Sequence, residues 1–168
     1  MPSTYEPIAS QTLGSSASSV TFSSIPATYT DLRLVMTYLA NASIAGSSIQ
    51  FNGDTASNYS ETYLRGNGSA ASSSRFTNST YLQVGWQGWA TTTIPQFCTV
   101  DIFSYAGSTF KTVLGEDNAD RNGAGEVVRF VGLWRSTSAI TSIVINENAG
   151  GGNYAAGSTF TLYGIKNA

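Results

Sequence analysis

The feature that most constrains this chain is the alternation of apolar and polar residues with a period of two. It is clearest in segment 31–39, where four apolar residues fall on one side of an extended backbone: Leu32, Leu34, Met36 and Tyr38. Helical periodicity is nearly absent from the 168 residues. A chain patterned in this way is expected to fold into β-sheets, so we predict an all-β protein.

Further short segments with strand composition are separated by turn signals. The candidate strands are 8–13, 18–23, 48–51, 62–65, 80–86, 97–105, 109–114, 127–135, 140–146 and 159–165. The strongest turns, built on Gly and Asn, are 52–54, 66–68, 121–123 and 150–153. Short strands at this spacing predict a single antiparallel β-sandwich of about ten strands. A jelly-roll-like fold with eight core strands and a few extras suits the count best.

The length fits one domain with a sizeable core. We expect the β-sandwich domain to span residues 8–168. Residues 1–7 are predicted to form an extended N-terminal arm, because Pro2 and Pro7 disfavour regular structure and Tyr5 is available to pack on a neighbour. Segment 127–135 is apolar on both faces, which indicates a central strand or one that a neighbouring subunit covers on its outer side.

Composition argues against several classes of partner. Charged residues make up 11% of the chain, and the eight Lys and Arg residues are scattered without a cluster. Nucleic-acid binding needs a basic stripe and an anionic membrane surface attracts a polybasic segment, so we expect neither partner. There is no basic and then apolar leader and no apolar run of transmembrane length. We therefore expect a protein made in a cytoplasm, without a signal peptide and without membrane insertion.

The residue types also limit the chemistry. The sequence contains no histidine, which excludes Ser-His-Asp and Cys-His centres. The single cysteine, Cys98, lies in an apolar run and is predicted to be a small buried hydrophobe, so a zinc site is not expected. Two carboxylates suffice for glycoside hydrolysis, and within a strand Asp101 is the acid that stands out, although an exposed or hydrogen-bonded acid is the favoured interpretation. We predict no enzymatic activity and no cofactor.

Two segments rich in Gly, Ser, Asn or Asp, 66–78 and 116–125, are predicted as long loops. Long loops on a rigid sandwich are where partners usually bind. The second loop holds four residues with oxygens that suit calcium: Asp117, Asn118, Asp120 and Asn122. Their spacing does not match an EF-hand loop, so a plain polar turn is favoured and no metal site is predicted.

Two tryptophans stand three residues apart, at Trp86 and Trp89. They are core residues, contacts at a subunit interface or a stacking platform for a glycan, and the sequence leaves these three alternatives open. Together with Tyr5 and Glu6 of the predicted arm, they are the candidate interface or ligand contacts.

Four stretches, in chain order, resemble small bacteriophage virion proteins and tail-fibre-tip β domains that are common in cyanophages. They are SVTFSSIPATYTDLRLVM (19–36), FNGDTASNYS (51–60), VGLWRSTSAITSI (131–143) and NYAAGSTFTLYGI (153–165). The resemblance spans nearly the whole chain. It implies a β-sandwich or jelly-roll fold, frequent trimers and a location in the virion, and it carries no catalytic motif.

Tail-fibre tips usually end a long chain with a coiled coil or an attachment domain, and this sequence carries neither. The resemblance therefore favours a virion structural protein that decorates or cements the capsid. The major capsid protein is its expected partner, and a homo-oligomer, most often a trimer, is its expected state. A tail-fibre or adhesin subunit that binds host surface glycans is the alternative, and a small glycoside hydrolase is the second alternative.

Overall fold

The computed structural model describes residues 4–42, 46–86, 90–148 and 152–166, which form twelve strands and no helix. The strands are β1 (Tyr5–Thr12), β2 (Ser19–Phe22), β3 (Asp31–Tyr38), β4 (Gly46–Phe51), β5 (Tyr59–Gly66), β6 (Ala71–Ser79), β7 (Leu82–Trp86), β8 (Gln96–Phe103), β9 (Lys111–Asp120), β10 (Gly125–Trp134), β11 (Ile143–Glu147) and β12 (Thr159–Ile165). The all-β prediction is confirmed, with twelve strands where about ten were expected. Within these residues, no helix is long and apolar enough to span a membrane.

The strands form two antiparallel sheets that pack as a sandwich. The large sheet has the order β1-β12-β3-β8-β9-β10-β5-β6, and the small sheet has the order β2-β11-β4-β7. Strands β1-β12-β3-β8 and β2-β11-β4-β7 make the four-on-four arrangement of a jelly roll. The other four strands belong to two hairpins, β5–β6 and β9–β10, which extend the large sheet beyond β8. The predicted jelly-roll sandwich with extra strands is therefore confirmed.

Strand β3 shows how the alternation builds the core. Its four apolar residues at even positions are fully buried between the sheets, whereas the residues between them are half-buried on the other face. Complete burial of one such side chain contributes roughly 1.5–3 kcal/mol. The period-two pattern in the sequence therefore also reports which face of β3 meets the small sheet.

A cluster of aromatic rings joins β4, β5 and β10. The rings of Phe51, Tyr59 and Trp134 have centroids 5.4 to 6.3 Å apart. Trp134 Nε1 donates a hydrogen bond to Asp54 Oδ2 at 2.7 Å, and the Tyr59 hydroxyl donates to the Asp54 carbonyl oxygen at 3.1 Å. These hydrogen bonds hold the turn that follows β4 to β5 and β10 of the large sheet.

The two predicted long loops are mostly strand, and that part of the prediction is wrong. Residues 71–79 form the edge strand β6, whose side chains are exposed on both faces except at Ser79, so no apolar alternation marks it. Residues 116–120 complete β9, and only a tight turn separates them from β10. Asn122 and Gly123 occupy that turn with φ of 55° and 118°, which agrees with the turn predicted at 121–123.

The N-terminal boundary of the sandwich also differs from the prediction. Tyr5, Glu6 and Pro7, assigned to the arm, lie in β1, which pairs with β12 along its length. The pairing register shifts between Pro7 and Ala9. Proline has no backbone N–H to donate to a neighbouring strand, so it is tolerated at irregular positions of an edge strand such as this one. Residues 1–3 of the predicted arm lie outside the described residues.

Candidate functional site

Two of the predicted contact residues, Tyr5 and Glu6, lie on the edge strand β1. The Tyr5 ring is nearly half exposed and stands edge-on to the Tyr163 ring, with centroids 6.4 Å apart. Arg33 Nη1 donates a hydrogen bond to the Tyr5 hydroxyl at 3.4 Å. The Glu6 carboxylate forms an ion pair with Lys166 Nζ at 3.0 Å. Tyr5 therefore presents an accessible ring, whereas Glu6 is engaged within its own sheet.

Trp86 is a core residue in the structure, not a surface contact. It ends β7, faces the large sheet and packs against the rings of Tyr63 and Phe130, with centroid separations of 4.9 and 5.2 Å. Its burial selects the core interpretation among the three alternatives that the sequence leaves open. Trp89 lies outside the described residues.

Two buried carboxyl groups hold β7 to the large sheet. Glu61 Oε2 accepts a hydrogen bond from the backbone N–H of Gln83 at 2.7 Å. Asp117 Oδ2 accepts from the backbone N–H of Trp86 at 2.8 Å and from Gln96 Nε2 at 2.7 Å. Burial raises the pKa of Glu61 to about 8 and the pKa of Asp117 to about 8, because the interior solvates a carboxylate poorly. Both groups therefore favour the neutral, protonated form in the folded protein.

The ends of the two hairpins meet in a single cleft of about 700 Å³. It is lined by residues 66–69, at the end of β5 and in the turn to β6, by residues of segment 118–127 around the β9–β10 turn, and by Pro95. Asn67 Oδ1 accepts hydrogen bonds from two backbone N–H groups of its own turn, at 2.9 and 3.1 Å. The structure thus brings together two segments that the sequence proposes separately as binding loops.

The cleft contains two acidic residues, Asp120 and Glu126, among neutral polar groups. Glu126 is buried, and its Oε2 lies 2.8 Å from Arg65 Nε. Asp120 Oδ1 accepts a hydrogen bond from the backbone N–H of Asn122 at 2.8 Å, which closes the turn. Both carboxylates have structural partners, so their placement lends no support to the hydrolase alternative. The neutral polar side chains of the remaining walls, beside glycines and small apolar residues, are those of Asn67, Ser69 and Asn118.

The four oxygen-bearing residues considered for calcium do not converge on one point. Asp117 and Asn118 are successive residues of β9, so their side chains point to opposite faces of the sheet, and Asp117 is buried. In the described ranges, no group of three or more His, Cys, Asp or Glu residues is placed to hold a metal ion.

The outer face of the large sheet, the side turned away from the small sheet, carries large apolar side chains that solvent reaches. On β5, β8 and β10 these residues are Leu64, Phe97, Phe103, Val127 and Val131. Val127 and Leu64 are 64% and 59% exposed. Segment 127–135 is apolar on both faces in the sequence, which predicts a strand with an apolar outer side. Val127 and Val131 of this segment form part of the exposed surface.

Two pairs of opposite charges lie on the outer face. Arg33 Nε and Nη2 donate to Asp101 Oδ1 and Oδ2 at 2.6 and 2.7 Å, and Arg129 Nη1 lies 3.4 Å from Glu116 Oε2. Asp101 is therefore a hydrogen-bonded acid on the outer face, as the favoured interpretation of the sequence has it. Opposite charges neutralise each other in these two pairs, so this part of the face is suited to docking against an apolar surface.

The dimensions of the outer face match those of a protein interface. With strands ~4.8 Å apart and ~3.4 Å per residue, eight strands and six residue steps span roughly 34 by 20 Å, on the order of 700 Å². A standard interface buries about 800 Å² per partner.

No known protein family matches this chain, and no curated protein matches it.

Proposed function

We propose that the protein is a bacteriophage virion structural protein, an oligomeric capsid decoration or cement protein that binds the major capsid protein on the particle surface. The observation that carries the proposal is the outer face, where exposed apolar side chains lie between internally neutralised ion pairs. The phage assignment comes from the sequence resemblance. The jelly-roll topology agrees with it by analogy only, since this fold serves viral capsids, lectins and cupins alike.

The docking argument depends on area and on repetition. A face on the order of 700 Å² is enough for a specific but modest contact with one capsid subunit. An oligomer that bridges several subunits of a lattice adds such contacts by avidity. Each bridged subunit is then held to its neighbours, which is the physical basis for cementing a particle.

Purified protein added to undecorated capsids tests the proposal. We expect co-sedimentation with the capsids and a higher temperature for release of the packaged genome. The double variant Val127→Glu/Val131→Glu places two charges on the outer face and is expected to abolish both effects. Thr21→Glu, on the exposed side of β2, is the matched control and is expected to bind normally. Wild-type protein that leaves the capsids unbound and their heat resistance unchanged would refute the proposal.

The cleft favours a second candidate function, host recognition by a tail-fibre or adhesin subunit that binds surface glycans. Two hairpin turns that carry Asn, Ser and Asp side chains beside small apolar residues form a concave site that suits a hydroxyl-rich ligand. A glycan array tests it directly. Ala124→Trp, which would fill the cleft from an exposed position, is expected to remove any signal, and Ala9→Trp on exposed β1 is the control. Immunogold labelling of head or tail would separate the two candidates.

A further inference from the structure

The sandwich has four sheet edges, and they differ in length and protection. Strands β2 and β7 at the edges of the small sheet are four and five residues long. Strand β1 carries Pro7 and an irregular register. Short strands, prolines and bulges are the devices by which proteins prevent pairing at sheet edges. The fourth edge, β6, has nine residues and no proline. Its register against β5 shifts only beyond Phe76, where Asn78 has φ of 55°, so residues 71–76 pair regularly.

Strand β6 presents a pairing surface that nothing in the described part of the chain covers. It pairs with β5 on one side only, at the end of the large sheet, and its side chains from residue 71 to 78 are exposed. Arg75 is its single charge, and its Nε donates to the hydroxyl of Thr62 on β5 at 3.2 Å. An edge strand this long leaves a row of backbone N–H and C=O groups open to another strand.

We propose that β6 pairs with β6 of a second copy of this chain, antiparallel and about a two-fold axis at Ser74. The outer face must stay continuous across the junction, so residues of equal parity must face each other. With Ser74 opposite Ser74, Arg75 lies opposite Ser73 and Phe76 opposite Ser72. A two-residue shift would place Arg75 opposite Arg75, and like charges directly opposite destabilise a sheet. The centre at Ser74 avoids this and aligns residues 72–76, all of which lie in the regularly paired part of β6.

The partner is a second copy because the pairing is self-complementary and extends the outer face. In the dimer, the extensions of the two large sheets become one surface, which doubles the area available for docking. The inference rests on the proposed function for the use of that surface, although the dimer itself does not require a capsid. A two-fold pairing also yields dimers, whereas the resemblance suggests trimers.

Sedimentation velocity over a concentration series tests the pairing. We expect a monomer–dimer equilibrium for the wild type. Ser74→Glu and Ser74→Lys each place like charges opposite each other and are expected to weaken dimerisation about fivefold or more. An equimolar mixture of the two variants restores opposite charges and is expected to dimerise at least as well as the wild type. Gln11→Glu and Gln11→Lys place the same charges on the exposed edge β1 and are expected to have no effect.

A second variant tests the register without adding charge. Antiparallel partners have Cα atoms about 4.5–5.5 Å apart, within the range of a disulfide. Ser74→Cys is therefore expected to form a covalent dimer on mild oxidation, whereas Gln11→Cys is not. Cys98 is buried and does not compete in the folded protein.

A wild type that stays monomeric at all concentrations would overturn the inference, as would dimers that both Ser74 charge variants leave intact. If dimerisation responds to the Ser74 charge variants as expected but the dimers do not bind capsids, the proposed function alone is refuted. If a charge variant fails to fold, as seen by circular dichroism, the Ser74→Cys cross-link decides the matter.

Discussion

The buried carboxyl groups of Glu61 and Asp117 lead to a specific prediction about pH and stability. Burial raises the pKa of each to about 8 in the folded protein, while in the unfolded chain each titrates near pH 4, roughly its ordinary value. Between these limits the folded state binds more protons than the unfolded state. The stability that protonation provides is complete at low pH and is lost as the pH rises through 8.

The magnitude follows from the size of the shifts. One pKa unit corresponds to about 1.36 kcal/mol. From pH 5 to pH 8, each carboxyl group is therefore expected to lower the free energy of unfolding by at most about 3.5 kcal/mol. The hydrogen bonds to the backbone of Gln83 and Trp86 survive in the neutral form, since a protonated carboxyl still accepts through its carbonyl oxygen.

Urea unfolding at pH 5 and pH 8, followed by tryptophan fluorescence, measures the effect. Glu61→Gln and Asp117→Asn remove one titration each, so each is expected to halve the difference between the two pH values. Asp54→Asn is the control. Burial opposes ionisation of Asp54, but hydrogen bonds from Asn58 and Trp134 outweigh it and lower its pKa, so the group titrates below this range. A wild type equally or more stable at pH 8 would refute the reasoning, as would variants that keep the full difference.

Three further predictions concern packing and reactivity. Gly115→Ala is expected to cost about 1–3 kcal/mol in urea unfolding, because a Cβ there would lie 2.2 Å from a ring carbon of Phe130; unchanged stability would contradict the packing. Trp134→Phe removes the donor to Asp54 and is expected to cost about 1–3 kcal/mol in the same assay, whereas a neutral effect would show that the bond adds nothing. Burial raises the pKa of Cys98, so a thiol reagent is expected to label it only on unfolding, and rapid labelling of the folded protein would disprove its burial.

The sequence by itself determined the fold class and much of the core. The alternation in β3 is a local property, since neighbouring residues of a strand point to opposite faces, and the structure buries the side that the pattern predicts. The turn at Asn122 and Gly123 is local in the same sense, because it depends on residues that tolerate positive φ. The jelly-roll arrangement followed from the count and spacing of such segments.

Only the tertiary structure decided the surfaces on which function is proposed. Strand β6 is mostly polar and shows no apolar alternation, so its extended conformation comes from pairing with β5, which no local pattern records. Asp117 lies in a polar segment that is typical of a loop, yet its side chain is buried. There it accepts hydrogen bonds from Trp86 and Gln96, which are distant in sequence. The sequence around Trp86 is compatible with either a core or a surface position, and the packing of β7 against the large sheet buries it. At these positions, strand pairing and burial depend on contacts with residues distant in sequence. The sequence therefore pointed to several of the residues but not to their environment in the fold.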